Sequence, residues 1–369
     1  MNNNSTYQNV YTHLERMVAM PTVSGEEIPA DEIIMYASAV LESADMHVRT
    51  YKNEGFPSLV ATSQPGSKKP KLFLLAHLDV VAAKQDQFIL RRRSGRLYGR
   101  GVIDMKYAAA CFLETALSLK DEMAKYDFGI MLTTDEETDG AHGTGFLMEE
   151  GYRCEVGLLP DCANNWQVEA MAKGAWRVQA TATGKTAHAS RPWEAESASD
   201  KLLGFLQDAR TAIPSPDKHT DTTLVISLLQ AGKAYNQVPD FASAGLDIRF
   251  LGNSTLTELE KELTAIARTH SVELESLVRI QPVELDLELP QLKEWEGVVG
   301  KVRGKISNEY ALSFGASDAR YLAAHGIPSI ITSPEGAGLH SDDEWISEEG
   351  LYQFYECTLA YVKTIAGIK

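Results

Sequence analysis

Apolar and polar residues alternate along the chain in segments whose periods predict strands and helices in turn. Apolar runs that end in acids or histidine predict buried strands at KLFLLAHLDVV, FGIMLTTDEE and VGLLPDC. Between them, MKYAAACFLETALSLKDEM is rich in strong helix formers and predicts a helix. This alternation is typical of a mixed, largely parallel sheet flanked by helices.

The pattern changes between residues 173 and 283. There the segments predict the order strand, helix, strand, strand, helix, strand, which is the ferredoxin-like arrangement. The α/β alternation then resumes and closes with an amphipathic helix, LYQFYECTLAYVKTIA. We therefore expect an α/β domain formed by residues 1–172 and 284–369, with an α+β domain inserted at 173–283.

Composition excludes several classes of protein. The 369 residues carry a formal net charge of −16, which argues against a nucleic-acid partner because such a partner needs a basic surface. The four cysteines form no CxxC pair, so neither a disulfide framework nor a thiolate zinc site is indicated. Neither a signal peptide nor a membrane span is predicted. The expected location is the cytoplasm, without membrane partners.

The strand LFLLAHLDVV ends with a histidine and an acid two residues apart. Side chains alternate between the faces of a strand, so His77 and Asp79 point the same way. Two interpretations fit this pair: a buried histidine with a hydrogen-bonding partner, or a metal ligand whose ring the carboxylate orients.

Four other short motifs favour the metal ligand. They contain Asp104 in GRGVIDMK, Glu136 and Glu137 in TTDEETDG, Asp161 in LLPDC, and His340 in GAGLHSDDEW. The carboxyl ends of neighbouring parallel strands meet at one edge of a sheet, where several acids would repel one another without cations. Imidazole and carboxylate ligands suit zinc and divalent ions of similar chemistry.

These motifs, in this order, resemble a known family. The sequence is similar to the co-catalytic dizinc amidohydrolases, which include succinyl-diaminopimelate desuccinylase, acetylornithine deacetylase, aminoacylase, carnosine-type dipeptidases and glutamate carboxypeptidases. The resemblance extends over essentially the whole chain, and the inserted domain falls where the family has its lid. It implies a zinc-exopeptidase-like catalytic domain and a homodimer formed through the lid.

The resemblance also implies five metal ligands. His77 and Asp161 would bind one divalent ion. Glu137 and His340 would bind the other, and Asp104 would bridge the two. Zinc is the expected metal, although cobalt and manganese can fill similar sites.

Two acids would act beside the ions. Asp79 would fix the tautomer and orientation of His77. Glu136 would serve as the general base and later as the acid. Adjacent residues on a strand point in opposite directions, so different roles for the two neighbouring glutamates are expected. The family further implies a cis peptide bond between Asp104 and Met105.

Four residues outside this set are predicted to meet the substrate. His188 in GKTAHASRPW would help to hold the scissile carbonyl oxygen, in its own subunit or in the partner's site. Asn236 and Arg249 match lid residues that meet a substrate carboxylate, to which an arginine fork is well suited. The alternative for Arg249 is a plain surface residue. Ser317 is either a substrate contact or a helix cap.

The expected activity is hydrolysis of an amide bond in a small substrate that bears a free carboxylate. The leading hypothesis is a di- or tripeptidase or an aminopeptidase, which the aspartate at position 161 slightly favours within the family. A deacylase of acetyl- or succinyl-amino acids is the alternative. A catalytically silent relative that binds a ligand or acts as a scaffold is the third hypothesis, which the complete ligand set disfavours.

Overall fold

The computed structural model describes residues 3–213, 222–252, 255–307, 309–313, 315 and 317–368. Its α-helices are, in order, α1 Asn3–Val18, α2 Glu27–Ser43, α3 Lys106–Leu119, α4 Phe146–Glu149, α5 Ala198–Ala212, α6 Leu256–Thr269, α7 Pro290–Arg303, α8 Ala319–Ala323 and α9 Glu348–Ile365. Among the described residues, no helix is both long enough and apolar enough to cross a membrane.

The strands are, in order, β1 His47–Asn53, β2 Phe56–Thr62, β3 Leu72–His77, β4 Arg91–Arg93, β5 Arg96–Tyr98, β6 Phe128–Thr133, β7 Val156–Leu158, β8 Val168–Ala172, β9 Gly174–Thr183, β10 Thr223–Ala231, β11 Phe241–Phe250, β12 Val272–Ile280, β13 Val283–Glu284, β14 Tyr310–Ser313, β15 Ser329–Ile330, β16 Gly336–Ala337 and β17 Trp345–Ser347.

The chain divides into two compact units. Unit 1 comprises Met1–Ala170, Leu285–Leu312 and Ser317–Lys369, and unit 2 comprises Met171–Glu284 and Ser313–Ala316. The sequence prediction does not assign the segment 313–316 to the inserted domain. The reason is that this short segment is separated along the chain from the rest of unit 2.

Unit 1 is built around a six-stranded sheet in the order β1-β2-β6-β3-β7-β15. The pairs β6–β3, β3–β7 and β7–β15 are parallel, whereas β1–β2 and β2–β6 are antiparallel. Every residue of β3 and β6 is buried, as expected for strands inside a helix-flanked sheet. Helix α3 packs on β3 and contacts α1, α2 and α9. The predicted mixed, largely parallel sheet is confirmed.

A second sheet of unit 1 joins distant parts of the chain. Its order is β16-β17-β5-β4. Strands β4 and β5 form an antiparallel hairpin in the arginine-rich sequence RRRSGR. Trp345 in β17 pairs with Tyr98 in β5, which brings the segment after residue 340 beside the segment before residue 104.

Unit 2 has the ferredoxin-like order. Its elements follow one another as β9, α5, β10, β11, α6 and β12, and its sheet has the order β10-β11-β9-β12 with every pair antiparallel. Ser197 caps α5, and Thr255 with Glu258 forms a capping box at the start of α6. Strand β10 lies at an edge of this sheet.

Candidate metal centre

The five predicted ligands lie at strand ends and in turns of unit 1. His77 is the last residue of β3, Glu137 follows β6, and Asp161 follows β7. These three strands are parallel neighbours, so their carboxyl ends meet at one edge of the sheet. Asp104 lies in the turn before α3, and His340 lies between β16 and β17.

The turn that carries Asp104 requires a glycine three residues earlier. Gly101 has φ +81°, and a Cβ atom there would lie 2.9 Å from Cγ1 of Val80. A larger residue would therefore be strained and would displace its neighbours. The peptide bond between Asp104 and Met105 is cis, as predicted.

The ligand atoms form two groups that share one residue. Those of His77, Asp104 and Asp161 lie within 4.8 Å of one another, and so do those of Asp104, Glu137 and His340. Oδ1 of Asp104 lies 3.1 Å from Nε2 of His77, and its Oδ2 lies 3.0 Å from Nε2 of His340. Two oxygens of one carboxylate that face two separate groups are what a bridging ligand needs.

The electrostatics of this cluster fit divalent cations. Burial, followed by the negative charge of Asp104, raises the pKa of Glu137 to about 7. The hydrogen bond with Asp104, opposed by partial burial, raises the pKa of His340 to about 9. Neighbouring carboxylates contribute to both shifts, although burial is the larger cause for Glu137. The mixture of carboxylate oxygens and imidazole nitrogens is a donor set that zinc-like ions accept.

Asp79 lies behind His77 and contacts more than the ring. Nδ1 of His77 lies 3.0 Å from the backbone carbonyl oxygen of Asp79 and 3.4 Å from its Oδ1, so Nε2 is the nitrogen that faces the ligand cluster. The carboxylate also accepts hydrogen bonds from the backbone N–H groups of Glu136 (3.2 Å) and Glu137 (3.1 Å) and from the Ser24 hydroxyl (2.7 Å). It therefore holds both the imidazole and the loop of the two glutamates.

Glu136, the predicted general base, lies outside both ligand groups. Among the described residues, neither ligand group includes its carboxylate. Burial, followed by the negative charge of Asp161, raises the pKa of Glu136 well above its usual range. A carboxyl group with a raised pKa holds a proton more readily, which suits a group that must first take a proton and then return it.

Comparison with known proteins identifies the family. The model for peptidase family M20/M25/M40 matches residues 73–365. The chain belongs to this family. The chain is therefore an enzyme, a hydrolase of a metal-dependent family, and the resemblance inferred from its motifs is confirmed.

Several relatives align with most of this M20-family chain. A probable succinyl-diaminopimelate desuccinylase of Staphylococcus aureus strain N315 is 24% identical over 95% of this chain and 97% of the relative. The succinyl-diaminopimelate desuccinylase of Corynebacterium glutamicum is 27% identical over 86% and 85%. The crystal structure of a tripeptidase from S. aureus Mu50 has a TM-score of 0.78 and 21% identity, covering 97% of this chain and 98% of that one. That likeness shows the shared fold.

Three of the predicted substrate residues lie in unit 2 of this M20 enzyme. His188 and Asn236 occupy neighbouring exposed segments, which are joined by a β-bridge between His188 and Gln237. Arg249 lies on β11, where its Nε and Nη2 donate to Asp247 at 2.6 and 3.2 Å. Part of its fork is therefore used within unit 2. The substrate roles of these residues remain predictions.

Ser317 lies just before the short helix α8 in unit 1. The residue at the N-cap of this helix is Asp318, whose side chain makes no capping hydrogen bond. The substrate role of Ser317 remains a prediction. Asp318 itself is buried and accepts a hydrogen bond from the Thr144 hydroxyl at 2.5 Å. Burial, followed by the negative charge of Asp135, raises the pKa of Asp318 to about 8.

Sequence reasoning missed a buried ion pair beside the centre. Nη1 of Arg100 donates to Oε2 of Glu344 at 2.6 Å. The arginine belongs to the motif GRGVIDMK and the glutamate follows His340 by four residues, so each stands near a ligand in the sequence. Proximity to a ligand was the available signal, but no local pattern pairs residues so far apart in the chain.

Proposed function

We propose that this enzyme hydrolyses the amide bond of a small substrate with a free carboxylate, using two divalent ions. The observation that carries the proposal is the pair of ligand groups that share Asp104. Zinc is the first candidate for both ions, and cobalt and manganese are the alternatives. When bound, such a pair stabilises the negative charge that develops during attack by water.

The chain's own residues supply the proton transfers. Glu136 accepts the proton of the attacking water and then delivers it to the leaving nitrogen, since its carboxylate belongs to neither ligand group of the described residues and stays free for proton transfer. Asp79 keeps Nε2 of His77 directed at the ligand cluster. His188, from the same subunit or its partner, is proposed to donate to the scissile carbonyl oxygen, where charge develops.

Small peptides are the first substrate class, with cleavage by a di- or tripeptidase or an aminopeptidase. The aspartate at position 161 supports this class through the family resemblance. N-acyl amino acids are the second class, and the names of the two sequence relatives favour it. In either class, Arg249, Asn236 and Ser317 are candidates for contacts with the substrate.

We further propose a homodimer formed through unit 2. The edge strand β10 exposes three large apolar side chains: Val225 at 56%, Leu228 at 64% and Leu229 at 55%. An apolar edge strand with free backbone groups is suited to pairing with a second copy of the same strand. Such a dimer would cover these side chains and extend the sheet.

The test combines metal analysis with a substrate panel. The purified enzyme is analysed for bound metals and assayed with dipeptides, tripeptides, acetyl-amino acids and succinyl-amino acids. Glu136→Gln should keep about two metals per chain and lose turnover by at least about 100-fold, because general acid–base catalysis contributes that much. Metals with no turnover in either protein would support the silent relative, and an absence of metals would refute the proposal.

A further inference from the structure

Arg100 and Glu344 are buried charges whose pairing is not arranged for stability alone. Their side chains are 3% and 0% exposed, and the arginine Nε has no hydrogen-bond partner among the described residues. Removing two charges from water costs more than their attraction returns unless further hydrogen bonds complete the arrangement. The remaining contacts of the pair therefore indicate its role.

Those contacts lead to two segments that carry metal ligands. Oε1 of Glu344 accepts from the backbone N–H groups of Ile103 at 3.1 Å and Asp104 at 3.3 Å. Nη2 of Arg100 donates to the backbone carbonyl of Ser341 at 3.2 Å. The pair thus joins the turn of the shared ligand Asp104 to the residue that directly follows His340.

The segment around His340 needs such an anchor. The His340 side chain is 54% exposed, so little packing fixes its orientation. Its backbone has φ +61°, a left-handed conformation that is uncommon for residues other than glycine and persists where surrounding contacts fix it. Nε2 of buried Gln87 also donates to the Ser341 carbonyl, at 3.1 Å. The position of the imidazole therefore depends on hydrogen bonds to this short segment.

The other half of the centre has different support. His77 is the last residue of a fully buried strand, and Asp161 follows the neighbouring parallel strand. Neither is contacted by Arg100 or Glu344 in the hydrogen bonds that hold the pair. The sheet sets the separation of these two ligands without help from the ion pair.

We propose that Arg100 and Glu344 are positioning residues that hold Asp104 and His340 at the spacing needed for one of the two ions. The inference rests on the proposed function, because it requires two bound ions. Both ions share Asp104, so loss of the pair should weaken both, but it should weaken the ion held by Glu137 and His340 more, because that ion also depends on the segment of His340.

Two backgrounds separate the ions. Asp161→Asn removes a ligand of one ion, and Glu137→Gln removes a ligand of the other, so each background keeps one three-residue group. Adding Glu344→Gln places an amide between Arg100 and the two backbone donors. Its one oxygen can face either Arg100 or the N–H groups of Ile103 and Asp104, so the other side loses its acceptor. Zinc affinity is measured in each protein by competition with a chromophoric chelator.

The expected result is asymmetric. In the Asp161→Asn background, Glu344→Gln should raise the zinc Kd by about 10–100-fold, the usual effect of losing a partner that orients a ligand. In the Glu137→Gln background, the fold-increase in zinc Kd caused by Glu344→Gln should be at least about tenfold smaller than in the Asp161→Asn background. Asp342→Asn, in the same segment but in an exposed ion pair with Lys84, is the matched control and should leave both affinities unchanged.

Two outcomes overturn the inference: an equal loss of affinity in both backgrounds, or no loss in either. If the wild-type enzyme then binds two zinc ions, the proposed function stands although the role of Arg100 and Glu344 is refuted. If the wild type binds no zinc, both the proposed function and this role are refuted. Far-UV circular dichroism checks that each variant is folded. If Glu344→Gln does not fold, Arg100→Lys replaces it, since lysine keeps the charge but cannot span both acceptors as a fork. It should give the same asymmetry with a smaller rise in Kd.

Discussion

Replacing Asp79 with asparagine tests whether one carboxylate holds two parts of the centre together. Its oxygens face Nδ1 of His77 and accept from the backbone N–H groups of Glu136 and Glu137. Asparagine offers one acceptor oxygen and one NH₂ group, so one of the two backbone amides loses its acceptor and meets a donor. Asp79 is 1% exposed, which leaves little room for water to replace the lost bond.

The magnitude follows from these contacts. One buried N–H group without an acceptor costs about 1–3 kcal/mol. The hydrogen bonds that remain are made to a neutral amide instead of a charged carboxylate, and this weakening adds about 1 kcal/mol. Asp79→Asn should therefore lower the free energy of unfolding of the metal-free protein by about 2–4 kcal/mol. It should also weaken zinc binding by about 10–100-fold, because the ring of His77 loses the carboxylate that orients it.

The assay separates the two effects. Urea unfolding in excess chelator, followed by circular dichroism, gives the stability, and competition with a chelating dye gives the zinc affinity. Asp86→Asn, which removes the exposed partner of Arg91, is the control and should change neither. Weaker zinc binding with unchanged stability of the chelated protein would show that Asp79 only orients the imidazole, and would refute the role assigned to its contacts with the loop.

Three further predictions concern pH, assembly and metal removal. Between the pKa of an unfolded aspartate, about 3.9, and the folded value of about 8, folded Asp318 binds more protons than the unfolded chain, so its contribution to stability falls as pH rises. The free energy of unfolding of Asp318→Asn, measured by urea titration and expressed relative to wild type, should rise by at least about 1.4 kcal/mol between pH 4.5 and pH 8. A difference between the two proteins that does not change with pH would contradict this. Leu228→Lys should convert the proposed dimer to a monomer in light scattering, whereas Leu203→Lys, at another exposed site in unit 2, should not. Chelation should lower the melting temperature, and zinc should restore it in a concentration-dependent way, since binding to the folded state alone stabilises it.

The residues of the two candidate ligand groups are easier to predict from sequence than the residues that position them. His77 and Asp161 each stand at or just after an apolar strand, and the rule that parallel strands end at one edge suffices to bring them together. Arg100 and Glu344 meet because Trp345 in β17 pairs with Tyr98 in β5. That pairing joins segments about 250 residues apart, and no local period or motif specifies it. The same limit applies to segment 313–316, which groups with a unit far from it along the chain.

The contacts of Asp79 show a second limit. Its contact with His77 is local in sequence, because Asp79 lies two residues beyond the end of β3 at His77. The hydrogen bonds that Asp79 accepts from the backbone of Glu136 and Glu137 depend instead on how the loop after β6 turns back toward β3, which requires the three-dimensional pairing of those strands. Local sequence patterns therefore identify which residues carry charge and metal-binding atoms, while long-range hydrogen bonds decide how firmly each is held.

The two halves of the centre consequently differ in what maintains them. One half is attached to buried, parallel strands that are part of the main core, so displacing its ligands requires disrupting the sheet. The other half includes His340, which is half-exposed, has a left-handed backbone and is tied to the core through Ser341 and the Arg100–Glu344 pair. A ligand held by a few hydrogen bonds has a lower cost of local opening than one held by a sheet. We therefore expect the proposed centre to bind its two ions with unequal affinity, even though the two ligand groups are chemically alike.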